Sequence, residues 1–308
     1  MKKERQSVRW AALLVLIAGI IIPRGWTPAA TDVRQPITVL TSNLVQSTSH
    51  DEQEGDVRWI LPGPRRLDPL VFGTPESPLG FEPDVGVPLA ARLTNEVGTA
   101  FTTTANPTPF SNAFALIRGS YDLTAIDVTL GDHPSSQDAV AFNAIFTSPD
   151  GQHTYDVRVN RVLPVGLLHS VFGGVGVNMI HHGRTGIGTK LQPTTPTYVA
   201  FWGIGTLTVD GQVPASGTDR LVHGMITCNV RNANYELVFD VDVDCTQIHT
   251  HLMLPPLQIL FTANDGYEEI ASPVPTGFIL PNGITQPFLH IMFENITLSP
   301  VTDTEGLD

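Results

Sequence analysis

Between about residue 89 and residue 299, apolar and polar positions alternate in short runs separated by turn residues. "DLTAIDVTLG" (122–131), "TYDVRVNRVL" (154–163) and "YELVFDVDV" (235–243) change character from one residue to the next. An extended chain with that period has one apolar face and one wet face. "AVAFNAIF" (139–146), "YVAFWGIGTLTV" (198–209) and "FLHIMFENITL" (288–298) are more evenly apolar and predict more deeply buried strands. Asp-Gly pairs in "SPDGQ" (148–152) and "VDGQ" (209–212) supply turns between successive strands. No stretch beyond residue 30 keeps a 3.6-residue period with helix caps at both ends. About eight to twelve strands at this spacing predict an all-β fold, a single large antiparallel β-sandwich or β-barrel domain. The absence of a fixed repeat argues against propellers and solenoids.

The flanks read differently. "MKKERQSVR" is basic and is followed by the apolar run "WAALLVLIAGIII" (10–22), which has signal-peptide length and is short for a membrane span of about 20 residues. Residues 1–30 are therefore expected to be a signal peptide cut near Ala29 or Ala30, with an uncleaved membrane anchor as the alternative. Export to the periplasm, cell envelope or exterior follows from either. Residues 31–88 read as a polar linker and a Pro/Gly-rich extended lead-in, residues 89–299 as the β-domain, and 300–308 as an acidic tail.

Composition narrows the partners. A formal net charge of −13 argues against nucleic acid, whose phosphates need a basic face. Membrane contact is expected only through the N-terminal segment, if it stays uncleaved. Export permits a disulfide between the two cysteines, Cys228 and Cys245. A hairpin turning near Asn232–Asn234 would set Cys228 opposite a residue near Leu237, so direct cross-strand pairing is not expected and the disulfide stays open.

Several enzyme signatures are missing: there is no G-x-S-x-G, no H-E-x-x-H and no C-x-x-C. "GRTGIGTK" (183–190) lacks the Gly-Lys-Ser/Thr ending of a phosphate loop and precedes no plausible helix. "DVDVD" (240–244) would place Asp240, Asp242 and Asp244 on one face of a strand. It fails the calcium-loop pattern, with Cys245 at the sixth position and His251 at the twelfth, and reads as a solvated face.

The histidines carry the candidate chemistry. After the initiator, the methionines are Met179, Met225, Met253 and Met292, and each lies two residues from a histidine: His181, His223, His251 and His290. With this histidine content chance supplies roughly 0.3 such pairs. On a strand, i and i+2 face the same way, so each pair can offer an imidazole and a thioether to one space. If a strand runs unbroken from Val241 to Met253, then Cys245, His249, His251 and Met253 share its inner face. A bulge at "CTQ" (245–247) would reset that phase. For His223 and His290 both faces are apolar, and their direction stays open. The candidate ligand set is His249, His251, His181, His182, His223, His290, Met253 and Met292, for copper or zinc.

The order His181-His182, His223, His249-x-His251, Met292 is similar to the ligand order of the copper-dependent, ascorbate-using monooxygenases, which are also exported β-proteins. The resemblance covers ligand types alone; the intervals here are shorter, and two cysteines do not supply that family's disulfide framework. "HTH" (249–251) with "PNG…H" (281–290) also resembles the two cupin motifs, without the glutamate expected after His251. The competing reading of all these residues is that His and Met fill gaps in a β-core, with imidazoles satisfied by backbone carbonyls. The function read from sequence is an exported all-β binding or interaction protein for an unknown ligand or protein partner. The alternative is a metal-dependent enzyme or metal-binding protein built on the His/Met cluster.

Overall fold

The computed structural model describes residues 44–50, 56–79, 89–105, 108, 110–128, 138–163, 174–185, 191–215, 217–239, 242–255, 257–261, 267–271, 289–298 and 302–303. The expected signal peptide, residues 186–190 of the glycine-rich loop, "PNG" (281–283) and most of the acidic tail lie outside them.

The fold is all-β. In chain order the strands are β1 (Leu44–His50), β2 (Val57–Ile60), β3 (Arg92–Thr94), β4 (Phe101–Thr104), β5 (Phe114–Ile117), β6 (Gly119–Asp127), β7 (Ala139–Thr147) and β8 (Thr154–Val162). Then follow β9 (Val175–His181), β10 (Thr195–Val209), β11 (Arg220–Asn229), β12 (Asp244–Leu254), β13 (Leu257–Phe261), β14 (Tyr267–Ala271), β15 (Leu289–Phe293), β16 (Thr297–Leu298) and β17 (Thr302–Asp303). Among the described residues a four-residue α-helix, α1 (Pro69–Phe72), and a three-residue 3-10 turn, Leu89–Ala91, interrupt them; α1 is capped by Asp68, which accepts from the Leu70 N–H. All strands but β3 and β4 join one antiparallel sheet whose main path runs β16-β1-β6-β7-β8-β10-β11-β12-β15-β2-β5; β9 pairs with β10.

The sheet folds over on itself, which is consistent with a sandwich. Tyr121 on β6 reaches across to Thr250 on β12, hydroxyl to hydroxyl at 2.6 Å. Phe142 on β7 meets Phe201 on β10, and Trp59 on β2 meets Tyr155 on β8 edge-on. These rings, with Val222, Ile226, Leu252, Ile291 and Phe293, form the inner core. A second core lies on the opposite face of β10–β12, where Leu67, Val71, Phe72, Phe101 and Phe110 cover Trp202, Ile204, Met225 and Met253. Strand β11 is consequently buried on both faces, whereas β6 and β8 alternate between buried and more exposed positions, as their sequence pattern predicts. Strand β7 alternates as well, so the deeper burial expected from its apolar run is corrected, with Ala139, Ala141 and Ile145 on its outer face.

The chain before residue 89 contributes more than its sequence suggested. Strands β1 and β2 fall within 31–88; β2 pairs with both β15 and β5. Four residues of strand carry too little periodicity to be read.

The described residues between 235 and 243 do not form the strand that the alternation there predicts. The described part turns at Asn232–Tyr235, bridges Arg231 to Leu237, and leaves the sheet. Tyr235 takes a left-handed φ of 63°, and the buried Arg231 guanidinium donates to its carbonyl and to that of Ser111, pinning the excursion. The chain re-enters as β12, where a register shift between Cys228 and Asn229 takes the partner from Ile248 to Asp244. Residues 245–247 bulge out, and Cys245 is joined to Cys228 in a disulfide. The expected unbroken strand from Val241 is thus corrected, and with it the shared face of Cys245 and His249. So is the hairpin that would have set Cys228 opposite Leu237. Asp242 is exposed and Asp244 accepts from Thr246, so no continuous strand presents these two on one face.

Candidate metal centre

Beyond the bulge, strand alternation governs the face of every ligand candidate. On β11, Val222 and Ile226 point into the inner core while His223 and Met225 point to the outer one. On β12 the alternation sends Thr250 and Leu252 inward and His249, His251 and Met253 outward; on β15 it does the same for His290 and Met292. The registers interlock: His223 stands opposite Met253, which stands opposite His290, and Met225 stands opposite His251, which stands opposite Met292. Three neighbouring strands therefore carry a chequered layer of imidazoles and thioethers on one face.

His181 and His182 join that layer from the end of β9. Consecutive strand residues normally face opposite ways. Here His182 lies just past the strand with a left-handed φ of 61°, and the two rings stack at 4.4 Å. Gly183 follows at φ 54°, where a Cβ would collide with the Thr194 side chain and backbone. The turn is thus built to bring adjacent imidazoles together.

His181, His182 and His223 form a closed, buried group in which one ring nitrogen from each lies within 4.8 Å of the others. Donors sharing one tetrahedral ion at about 2.0–2.1 Å stand about 3.4 Å apart, so small ring rotations close the set. The His223 Nδ1–H donates to the Phe201 carbonyl at 2.8 Å, which leaves the Nε2 lone pair for a ligand, and Trp202 stacks on the ring at 4.5 Å. His181 is wholly buried, and neither ring nitrogen meets a hydrogen-bond partner among the described residues. Burial, reinforced by His182 and His223, holds its protonation well below the usual value. Burial likewise lowers His223 to about 4, despite its carbonyl partner. Both are neutral imidazoles at neutral pH, the form that binds a metal.

His249, His251 and His290 form a second group of different character. His251 Nε2 lies 3.0 Å from His249 Nε2 and its Nδ1 3.2 Å from His290 Nε2, with Thr227 Oγ1 3.3 Å away. This is a chain of imidazoles within hydrogen-bond reach of one another, in which the outer His249 Nδ1 has an ionic contact and no hydrogen bond among the described residues. It ends at Glu294, whose Oε2 is 3.5 Å from His249 Nδ1 and whose Oε1 accepts from the Tyr235 hydroxyl at 2.6 Å. Burial pushes the Glu294 carboxyl up, but His249, Tyr235 and Arg58 outweigh it and leave it below its ordinary value. Burial, with His249 and His290 beside it, keeps His251 neutral.

The eight residues selected from sequence are therefore divided. His181, His182 and His223 come together closely; His249, His251 and His290 form the neighbouring chain; Met253 and Met292 are buried in the same layer. Two participants were not selected. Met225, although part of a His-x-Met pair, has its sulfur 3.1 Å from His182 Nε2. Glu294 is separated from His249 by 45 positions in the sequence, and no local pattern announces their contact. No family model matches the chain, and neither a curated protein nor a solved structure matches it.

Proposed function

We propose that this is an exported all-β protein that binds a transition metal, copper or zinc, through His181, His182 and His223. The observation that carries this reading is His181: neither nitrogen of this buried imidazole has a hydrogen bond among the described residues, which is costly, and a coordinated ion satisfies the nitrogen whose lone pair it takes. Three neutral imidazoles are a full protein ligand set for either metal, leaving a fourth position. The disulfide fits an oxidising compartment, in keeping with export. Titration of the tag-free, chelator-stripped chain with zinc(II) and copper(II) should give one tight site. His181→Ala should weaken it by about 100-fold, equal to about 2.7 kcal/mol. An unchanged affinity in that variant sinks the reading.

A second reading, a copper-dependent oxidoreductase, is favoured by the division of the histidines. The residues whose order is similar to that of the ascorbate-using monooxygenases separate into His181, His182 and His223 on one side and His249 and His251, with Met292 across the strand, on the other. Two neighbouring copper centres would allow electrons to be delivered singly. Copper-loaded protein should then consume oxygen in the presence of ascorbate faster than free copper does; no excess consumption removes this reading and leaves metal binding standing.

A further inference from the structure

We infer that Met225 is a ligand as well as core packing: its thioether is the fourth donor of the three-histidine site and makes that site select cuprous copper over zinc. This rests on the metal-binding reading above and adds the identity and oxidation state of the ion.

The first ground is position. Met225 is 1 % exposed and lies two residues after His223 on the same face of β11. Its sulfur stands 3.1 Å from His182 Nε2. Donors held at about 2.1 and about 2.3 Å by one ion and separated by that distance subtend about 90°. The sulfur and the imidazole nitrogen are thus spaced as members of one coordination shell. Without a metal an Nε2 proton directed at the sulfur occupies the gap; when an ion binds, His182 takes its other neutral tautomer, with the proton on Nδ1 and the Nε2 lone pair on the ion.

The second ground is chemistry. Three imidazoles hold zinc(II) and copper(II) well, so they discriminate weakly between ions on ligand type alone. A thioether is a soft, neutral, polarisable donor that favours copper(I) and adds little for zinc(II). It brings no charge into a layer whose imidazoles are already held neutral by burial. A carboxylate or thiolate at this position would have favoured a harder or more tightly bound dication. The sheet register also keeps Met225 in place: its neighbours across the strands are Ala200, which leaves room, and His251, which is tied to its own imidazole chain.

The test separates ligation from packing. Leucine conserves the volume of Met225, so Met225→Leu should fold, with a melting point lowered by no more than about 5 °C for the lost His182 contact. X-ray absorption of the full chain loaded with copper(I) should show a sulfur neighbour at about 2.3 Å. Met225→Leu should lose that neighbour, whereas Met253→Leu should keep it. Competition titration should show copper(I) weakened at least about tenfold in Met225→Leu and zinc(II) changed by less than about twofold. A sulfur shell that survives Met225→Leu overturns the inference, as does an equal loss for both ions. Selenomethionine-labelled wild type gives an arm that needs no substitution: absence of any copper–selenium path also overturns it. If wild type binds neither ion, the underlying reading falls as well; if it binds both and Met225→Leu alters neither, only the thioether assignment falls.

Discussion

Two groups of three histidines sit side by side on one face of this sheet, and they are satisfied in opposite ways. In the group of His249, His251 and His290 each imidazole has another within hydrogen-bond reach, and the chain ends on Glu294, itself held by Tyr235 and near Arg58. In the group of His181, His182 and His223 the rings converge, but His181 makes no hydrogen bond from either nitrogen among the described residues. Burial and residue type are the same in both. What differs is strand geometry. Residues two apart on β12, with a register partner on β15, come close enough to bond one another directly. A left-handed turn after β9 instead aims two adjacent rings at a third across β10. Two sets of buried imidazoles therefore differ in how much of their bonding capacity the protein itself takes up, and the backbone sets that difference.

The largest expected effect concerns what the two groups share. His223 is held near 4 by burial against an ordinary value of 6.5, and His181 and His251 are lowered in the same direction. Below pH 6.5 the unfolded chain takes up protons that these folded imidazoles refuse, so stability is complete above that pH and declines as pH falls toward 4. His223 alone accounts for about 3 kcal/mol over that window. Urea midpoints of the metal-free protein should fall between pH 7 and pH 5, and a flat profile would mean that the imidazoles are not buried in the neutral form.

A smaller effect separates the groups. Gly183→Ala places a Cβ against Thr194 at a left-handed φ and should cost about 2 kcal/mol. It should also weaken zinc binding, because it moves His182. Thermal melts of the metal-free chain alongside zinc titration read both, and a variant with wild-type affinity would show that the turn does not position the ring.

The smallest effect concerns the second group. Glu294→Gln keeps the shape but removes the charge beside His249 and should cost about 1 kcal/mol. Because Glu294 belongs to the other group, zinc affinity at His181, His182 and His223 should stay within about twofold of wild type. A large loss there would mean that the two groups act as one unit.

Much of this was legible in the residues themselves, and the failures have specific causes. Period-two alternation located β6 and β8, and evenly apolar runs located β7, β10 and β15. The same rule failed at 235–243, where a good alternating pattern is drawn out of the sheet by the Arg231–Tyr235 contacts, which no neighbour in sequence reveals. The paired spacing of His and Met was visible, and within β12 it did place His249, His251 and Met253 on one side. The phase argument that reached them through Cys245 was invalid, since the bulge at 245–247 intervenes and forms the disulfide that the residues alone left open.

What the sequence determined by itself was the class of structure and the inventory of ligand types. Alternation is a local consequence of extended backbone, and each His-x-Met pair follows from it without knowledge of any other strand. Only the tertiary structure decided which pairs meet. Strand register set His223 beside Met253 and Met225 beside His251, the left-handed turn at His182 brought two adjacent rings together, and the covering segment with Leu67 and Phe72 turned an outer sheet face into a dry one. Register, turn geometry and burial arise from contacts between residues far apart in the chain, so no window of sequence contains them.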